Sequence, residues 1–314
     1  MTITFRAVVV DRVKIAQDIV HLRFARVDGH PFPTPMPGAH IDVHLDGGTV
    51  RQYSLCGTVD DGEFQIAVLR KLNGRGGSRQ VHEQLQKGTE LTIGLWRNNF
   101  RLVEAGRYLF IAGGIGITPL LSMIDAANAA DVPWTLHYAG RSFDSMAFAK
   151  ELAARYGNRV HCYPGDEQYR MDISALLRQP EPDTLIYCCG PDSMLSQVSE
   201  HAAHWPATAV RTEYFVNAAL SRSPDEQPIE VVLAASGKTV EVPGGISILD
   251  AALDAGVDWP WSCKEGMCGT CEATVIDGEP MHLDTLLTEQ EREAGDIMMI
   301  CVSRAKSSRL VLDV

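Results

Sequence analysis

At roughly 100 to 200 residues per domain, a chain of 314 residues is expected to fold as more than one unit, and we expect three. Its 45% hydrophobic and 22% charged residues exclude a disordered or fibrous protein, and a net charge of -12 excludes the basic footprint of a non-specific nucleic-acid binder. No apolar run approaches the roughly 18 to 20 residues of a membrane span and the N-terminal residues do not resemble a secretion signal, so a cytoplasmic protein with no membrane contact is expected.

In chain order, residues 1–103 read as short strands separated by turns: Phe5 to Val10, Ile19 to Phe24, His40 to Leu45, Val50 to Leu55, Glu63 to Arg70 and Glu90 to Gly94. Even spacing of this kind predicts a small antiparallel β-barrel. One helix interrupts it, Ser78 to Leu85, with Ser78 as the candidate N-cap. Residues 104–217 change pattern to buried apolar strands alternating with helices, starting with Tyr108 to Ala112 and a helix Pro119 to Ala130. After them come Trp134 to Tyr138, a helix Met146 to Tyr156, Val160 to Tyr163, Ile173 to Leu177, Thr184 to Cys188, a helix Ser193 to His204 and Val210 to Glu213. This alternation predicts an α/β domain built on a parallel sheet with helices on both faces. Residues 218–228 are polar and contain Pro224, as an interdomain linker would. The last stretch, 229–314, offers a hairpin (Ile229 to Ala234, Thr239 to Val242), a helix Ser247 to Ala255, an irregular Cys- and Gly-rich segment and a final strand Leu310 to Val314. It also holds 15 Asp and Glu against 6 Lys and Arg, a net of -9, which suits an acidic docking face or simply a solubilising surface.

Cys263, Cys268 and Cys271, followed by Cys301 after 29 intervening residues, give the spacing C-x4-C-x2-C…C. This is the plant-type ligand pattern of a [2Fe-2S] cluster, in which thiolates hold two irons. Gly266 and Gly269 permit tight turns around the cluster. A structural zinc site is the alternative, but it ordinarily pairs its ligands as two C-x2-C groups, and Cys301 has no nearby Cys or His partner. Over residues 229–314 the sequence resembles plant-type ferredoxins, which implies a β-grasp fold of the α+β class. Cys56, Cys162, Cys188 and Cys189 are scattered, and a reducing compartment fits the cysteine usage.

In the α/β region, Ala112-Gly-Gly-Ile-Gly-Ile-Thr-Pro-Leu120 joins a buried strand to a helix. Gly113, Gly114 and Gly116 let a pyrophosphate approach the helix N-terminus, where free amides and the helix dipole favour anions. Thr118 is a candidate cap and Pro119 suits the first turn. A second segment, Tyr187-Cys-Cys-Gly-Pro-Asp-Ser-Met194, stands in the same strand-to-helix position. A G-G-x-G-x-T-P loop paired with a later C-G-P segment resembles the ferredoxin-reductase superfamily, which implies that Cys189, Gly190 and Pro191 border a nicotinamide. Tyr138-Ala-Gly-Arg-Ser142 matches the position that contacts the adenosine side in that superfamily. Arg141 is its one basic residue, next to Ser142, so NADH is expected rather than NADPH.

In the barrel region, Arg51-Gln-Tyr-Ser-Leu55 matches the superfamily pattern R-x-Y-S-L. The resemblance implies that Tyr53 and Ser54 contact a flavin ring and Arg51 its phosphate, a role that suits the bidentate guanidinium. Gly76, Gly77 and Ser78 open the predicted helix and offer amides and a hydroxyl to the same phosphate. One phosphate site suggests FMN, with FAD as the alternative. The segment Gly94 to Phe100 lacks the proline that members often carry.

The order of barrel, nucleotide domain, linker and C-terminal ferredoxin resembles the phthalate dioxygenase reductase family, including reductases of the vanillate demethylase type. That likeness implies hydride transfer from NADH to the flavin, with Ser54 and Cys189 beside the reacting rings, and then single electrons through the cluster to a terminal Rieske-type oxygenase. A diaphorase serving a soluble carrier and a non-catalytic redox sensor are the competing readings.

Overall fold

The computed structural model describes residues 3–57, 62–72, 74, 76–166, 170–215 and 226–314. The expected linker 218–228 falls mostly on residues outside that set. The chain separates into two compact units between Tyr214 and Phe215.

The first unit begins with a six-stranded antiparallel sheet: β1 (Thr4–Ala16), β2 (Ile19–Arg26), β3 (His40–Leu45), β4 (Thr49–Ser54), β5 (Phe64–Leu69) and β6 (Glu90–Gly94). Asp18, at φ 57, makes the tight turn between β1 and β2, a backbone state that Asp tolerates better than most residues. The strand order is β4-β3-β6-β1-β2-β5, and a bridge between Leu55 and Ile66 brings the two ends together, giving a barrel-like closure. Alternation places Leu22, Phe24, Ile41, Phe64, Ile66 and Ile93 in a fully buried core. Helix α1 (Gly77–Gln84) follows β5. Its N-cap is Gly76 at φ 85, not Ser78, because the chain enters the helix through a left-handed turn that glycine adopts without strain.

The same unit continues into a five-stranded parallel sheet: β7 (Arg107–Gly113), β8 (Trp134–Gly140), β9 (Val160–Pro164), β10 (Thr184–Cys189) and β11 (Val210–Glu213), ordered β11-β10-β7-β8-β9. Helices α2 (Ile117–Ala129), α3 (Ala149–Tyr156), α4 (Ile173–Leu176) and α5 (Asp192–His201) connect the strands. From Tyr108 to Gly113, β7 is buried without interruption, as a strand covered on both faces must be. Leu109 and Ile111 pack with Ile173, Leu195 and Val198. Phe110 turns the other way, to Trp134, whose ring meets Tyr156 of α3 edge-on. The helix expected from Met146 starts later, at Ala149, because the preceding backbone is not helical: a 3-10 turn occupies Phe143–Ser145 and Phe148 stands at φ 62.

The second unit is a mixed sheet formed by β12 (Ile229–Leu233), β13 (Lys238–Val242), β14 (Glu272–Asp277), β16 (Ile297–Met299) and β18 (Arg309–Leu312), in the order β13-β12-β18-β14-β16. A separate pair joins β15 (Pro280–Met281) to β17 (Arg304–Ala305). The hairpin β12–β13 is antiparallel while β18 runs parallel to β12, and α6 (Ile248–Asp254) buries Ile248, Leu249 and Ala252 against Val231, Leu233, Leu310 and Leu312. This is the expected α+β ferredoxin architecture. The segment read as irregular also contains β14, β16 and helix α7 (Glu289–Ala294). Helix α7 buries none of its residues, so it leaves no apolar period; its signal is the Thr288–Glu291 capping box. Among the described residues no helix is long and apolar enough to cross a membrane.

Candidate functional site

The order of the parallel sheet reverses between β7 and β10, and open α/β sheets bind ligands at the carboxyl ends of strands at such a switch point. Both Gly-containing segments stand there. Gly113 ends β7 and Cys189 ends β10, and their loops pack backbone to backbone. A Cβ on Gly116 would lie 2.2 Å from the carbonyl oxygen of Cys189, and one on Gly113 would lie 2.5 Å from Cδ of Pro191. On Gly190 it would meet Sδ of Met194 at 2.8 Å. Gly114 differs: it has φ +54 and nothing within 4 Å of its would-be Cβ, which leaves an open approach to the loop. Thr118 lies inside α2, where its hydroxyl donates to the Ile115 carbonyl at 3.0 Å, and Gly116 is the N-cap. Among the described residues no side chain caps α2, so its first amides are available to an anion.

From the neighbouring strand the buried Tyr138 donates its hydroxyl to the Gly114 carbonyl at 3.0 Å, tying the Gly-rich loop to the segment that ends in Arg141 and Ser142. Arg141 is exposed, Ser142 is half-buried, and the Gly165 amide donates to the Gly140 carbonyl at 2.7 Å to hold this edge of the crevice together.

The sequence reading missed Glu213. It is the register partner of Cys189 across β10 and β11, and its Oε2 is buried with no hydrogen-bond partner among the described residues. Burial pushes its carboxyl up to about 8, while burial and the neighbouring Glu213 raise the Cys189 thiol far above its ordinary range. Near neutral pH both groups therefore hold their protons, and Cys189 is a small buried wall rather than a thiolate. A strongly shifted carboxyl on the edge strand next to β10 is a structural signal; in sequence, Glu213 is an ordinary strand-end residue.

In the barrel, Arg51, Tyr53 and Ser54 lie along β4. The Arg51 side chain lies flat on the start of α1: a Cβ on Gly77 would approach its Cγ and Nε at 2.6 Å. The structure thus brings Arg51, Gly76 and Gly77 together at a helix N-terminus that has no side-chain cap among the described residues. Ser78 accepts the Lys71 amide at 3.0 Å, which leaves its O–H to donate. Burial raises the phenol of Tyr53, and Ser54 is buried. The Gly94 to Phe100 segment, which contains no proline, is anchored by polar contacts. The Arg97 backbone exchanges hydrogen bonds with His40 at 2.9 Å in both directions, and its guanidinium pairs with the buried Asp42 at 2.6 Å. The Asn98 side-chain amide donates to the Pro37 carbonyl at 2.8 Å. Two further contacts connect barrel and sheet: Tyr187 donates to the Arg101 carbonyl at 2.9 Å, and the Gly38 amide donates to Ser122 at 3.1 Å.

In the second unit Cys263, Cys268, Cys271 and Cys301 are all buried and none is in a disulfide. Cys263 is within hydrogen-bonding reach of both Cys268 and Cys301, and Cys271 of Cys301. These pairings link all four thiols into one group. Four buried thiols linked in this way suit a two-iron cluster. The loop follows glycine geometry: Gly266 has φ +67 and Gly269 φ +76, and a Cβ on Gly266 would lie 2.5 Å from Cγ2 of Val302.

Known proteins are similar to this chain in sequence and fold. The 2Fe-2S iron-sulfur cluster binding domain family matches residues 231–306, and the oxidoreductase NAD-binding domain family matches residues 110–200. The toluene-4-sulfonate monooxygenase system reductase subunit TsaB1 of Comamonas testosteroni is 40% identical over 305 residues, 96% of each chain. Phthalate dioxygenase reductase of Burkholderia cepacia is 35% identical over 315 residues, 98% of this chain and 97% of that one. A solved structure of phthalate dioxygenase reductase superposes with a TM-score of 0.75 at 35% identity, covering 99% of this chain and 98% of that one. An intact type IV self-sufficient cytochrome P450 monooxygenase gives 0.89 at 44% identity, with 99% of this chain covered but 41% of that much longer one. Matched to such relatives over nearly its whole length, this chain belongs to the phthalate dioxygenase reductase family of oxidoreductases.

Proposed function

We propose that the chain is the NADH-dependent reductase component of a Rieske-type oxygenase system, moving electrons from NADH to FMN in the barrel and onward, one at a time, through a [2Fe-2S] cluster to the oxygenase. The observation that carries this reading is the buried set of thiols at Cys263, Cys268, Cys271 and Cys301, attached to a nucleotide crevice in one chain. The boundaries we assign are 1–103 for flavin, 104–217 for NADH, 218–228 for the linker and 229–314 for the cluster.

Flavin and cluster supply the conversion from a two-electron donor to a one-electron acceptor. The protein's own task is to bind, orient and exclude. Arg51 and the amides of Gly76, Gly77 and Ser78 form a single anion site, which favours FMN over FAD. Tyr53 and Ser54 border the ring. Gly113, Gly114, Gly116 and Thr118 shape the pyrophosphate turn, and Cys189, Gly190 and Pro191 the nicotinamide end. Arg141 and Ser142 meet the adenosine, and a lone Arg141 in that segment favours NADH. Glu213, beside Cys189 with its Oε2 buried, holds a proton at its carboxyl and so adds no charge at that end of the sheet.

A second acceptor is favoured by one observation. The whole chain matches part of a self-sufficient cytochrome P450 at 44% identity, so a haem monooxygenase is the alternative recipient. Anaerobic titration with NADH, followed by visible absorption and electron paramagnetic resonance, tests the path. Flavin bleaching with a reduced [2Fe-2S] signal is expected, and a cysteine site without iron would overturn it. Chromatography of the released flavin decides between FMN and FAD, and stimulation by purified Rieske or P450 components identifies the acceptor class.

A further inference from the structure

Within the cysteine loop one residue adopts a glycine-like backbone without being glycine. Lys264, directly after Cys263, has φ 55, a region that costs a long side chain free energy unless the surroundings impose it. Its neighbour shows what that conformation achieves: the Glu265 amide donates to Sγ of Cys263 at 3.3 Å. The Lys264 side chain is itself held at two points. Its ammonium lies 2.6 Å from Oδ1 of Asp250 and 4.3 Å from the centroid of the Trp261 ring. Asp250 is fixed in turn, because Ser247, the N-cap of α6, donates to its carboxylate at 2.5 Å and accepts its amide at 2.9 Å. A continuous set of contacts therefore runs from the start of α6 through Asp250 and Lys264 to the hydrogen bond on a cluster sulfur.

We propose that Lys264 is a positioning residue for the cluster: its ammonium, tethered by Asp250 and Trp261, keeps residue 264 left-handed so that the Glu265 amide stays on Cys263, which raises the reduction potential. Hydrogen bonds to cluster sulfurs set potentials because the reduced state carries one more negative charge, which a donor stabilises. An ion pair whose side chains are about a third exposed adds little stability by itself, so the tether's value is geometric.

This inference rests on the ligand assignment above, and its failure is distinguishable from that of the assignment. Absence of iron and sulfide from the wild-type protein would remove the ligand reading, whereas the present test is made on preparations with full iron and sulfide. Redox titration of the full chain, read by electron paramagnetic resonance, compares Lys264→Arg, Lys264→Met and Asp250→Ala. Lys264→Arg should keep the wild-type potential. Lys264→Met should lower it by up to about tenfold in the equilibrium constant against a fixed donor, which is about 59 mV for one electron. Asp250→Ala gives the decisive sign. Removing a carboxylate would raise the potential through simple Coulomb repulsion, but loss of the tether lowers it, and a lower value is expected. A raised potential in Asp250→Ala, or an unchanged one in Lys264→Met, overturns the proposal.

Discussion

Glu213 shows how strongly a single buried carboxyl ties stability to pH. Its folded value of about 8 lies above the ordinary 4.5, so the folded protein binds this proton more tightly than the unfolded chain does. The stability linked to it is complete below about pH 4.5 and is lost as pH rises through about 8. Each pH unit between those two values corresponds to about 1.4 kcal/mol, so the loss by pH 8 is on the order of 4 kcal/mol. Glu213→Gln is therefore expected to flatten the fall in thermal midpoint across that pH range, measured by circular dichroism; an unchanged slope would mean that the carboxyl is ionised in the fold. Cys301 gives the second prediction for a single residue. Cys301→Ser should abolish the visible [2Fe-2S] bands and iron content while leaving NADH-driven reduction of artificial two-electron acceptors, because the thiol lies in the other compact unit from the nucleotide crevice.

Among the elements, the loops after β7 and β10 have no room for side chains. Gly116→Ala would drive a methyl to 2.2 Å from the Cys189 carbonyl oxygen. The expected result is a large rise in KM for NADH with flavin retained, checked by steady-state kinetics and flavin content. Tyr138→Phe is milder. It removes one hydrogen bond to Gly114, a loss of about 1 kcal/mol or roughly fivefold in NADH affinity, read by equilibrium titration. Most elements of the barrel and parallel sheet were legible because their apolar residues recur at fixed periods: Ile19–Arg26 and Arg107–Gly113 differ from the sequence reading only at their ends. Caps were less legible. Ser78 and Thr118 are residue types that cap helices, yet Gly76 and Gly116 hold those positions, because the choice depends on the direction from which the chain enters the helix.

Across the molecule, charge is unevenly distributed, with a net of -9 over residues 229–314. If that stretch meets a basic acceptor, salt should slow delivery to the acceptor, since the screening length falls from about 10 Å at 0.1 M to about 3 Å at 1 M. NADH oxidation with a small artificial acceptor should show much weaker salt dependence in the same stopped-flow series. A salt-independent rate to the acceptor would make the acidic surface merely solubilising.

Spacing along the chain singles out the cysteine set, the two glycine segments and the order in which the motifs follow one another, since these are local patterns. Which of them meet was settled only by folding. The fold set Cys189 beside Glu213, laid Arg51 against Gly77, and hung Lys264 between Asp250 and Trp261. Strand order and burial bring those partners together, and neither is written in local spacing: a sheet's switch point joins segments far apart in the chain, as the contact of Gly116 with Cys189 shows.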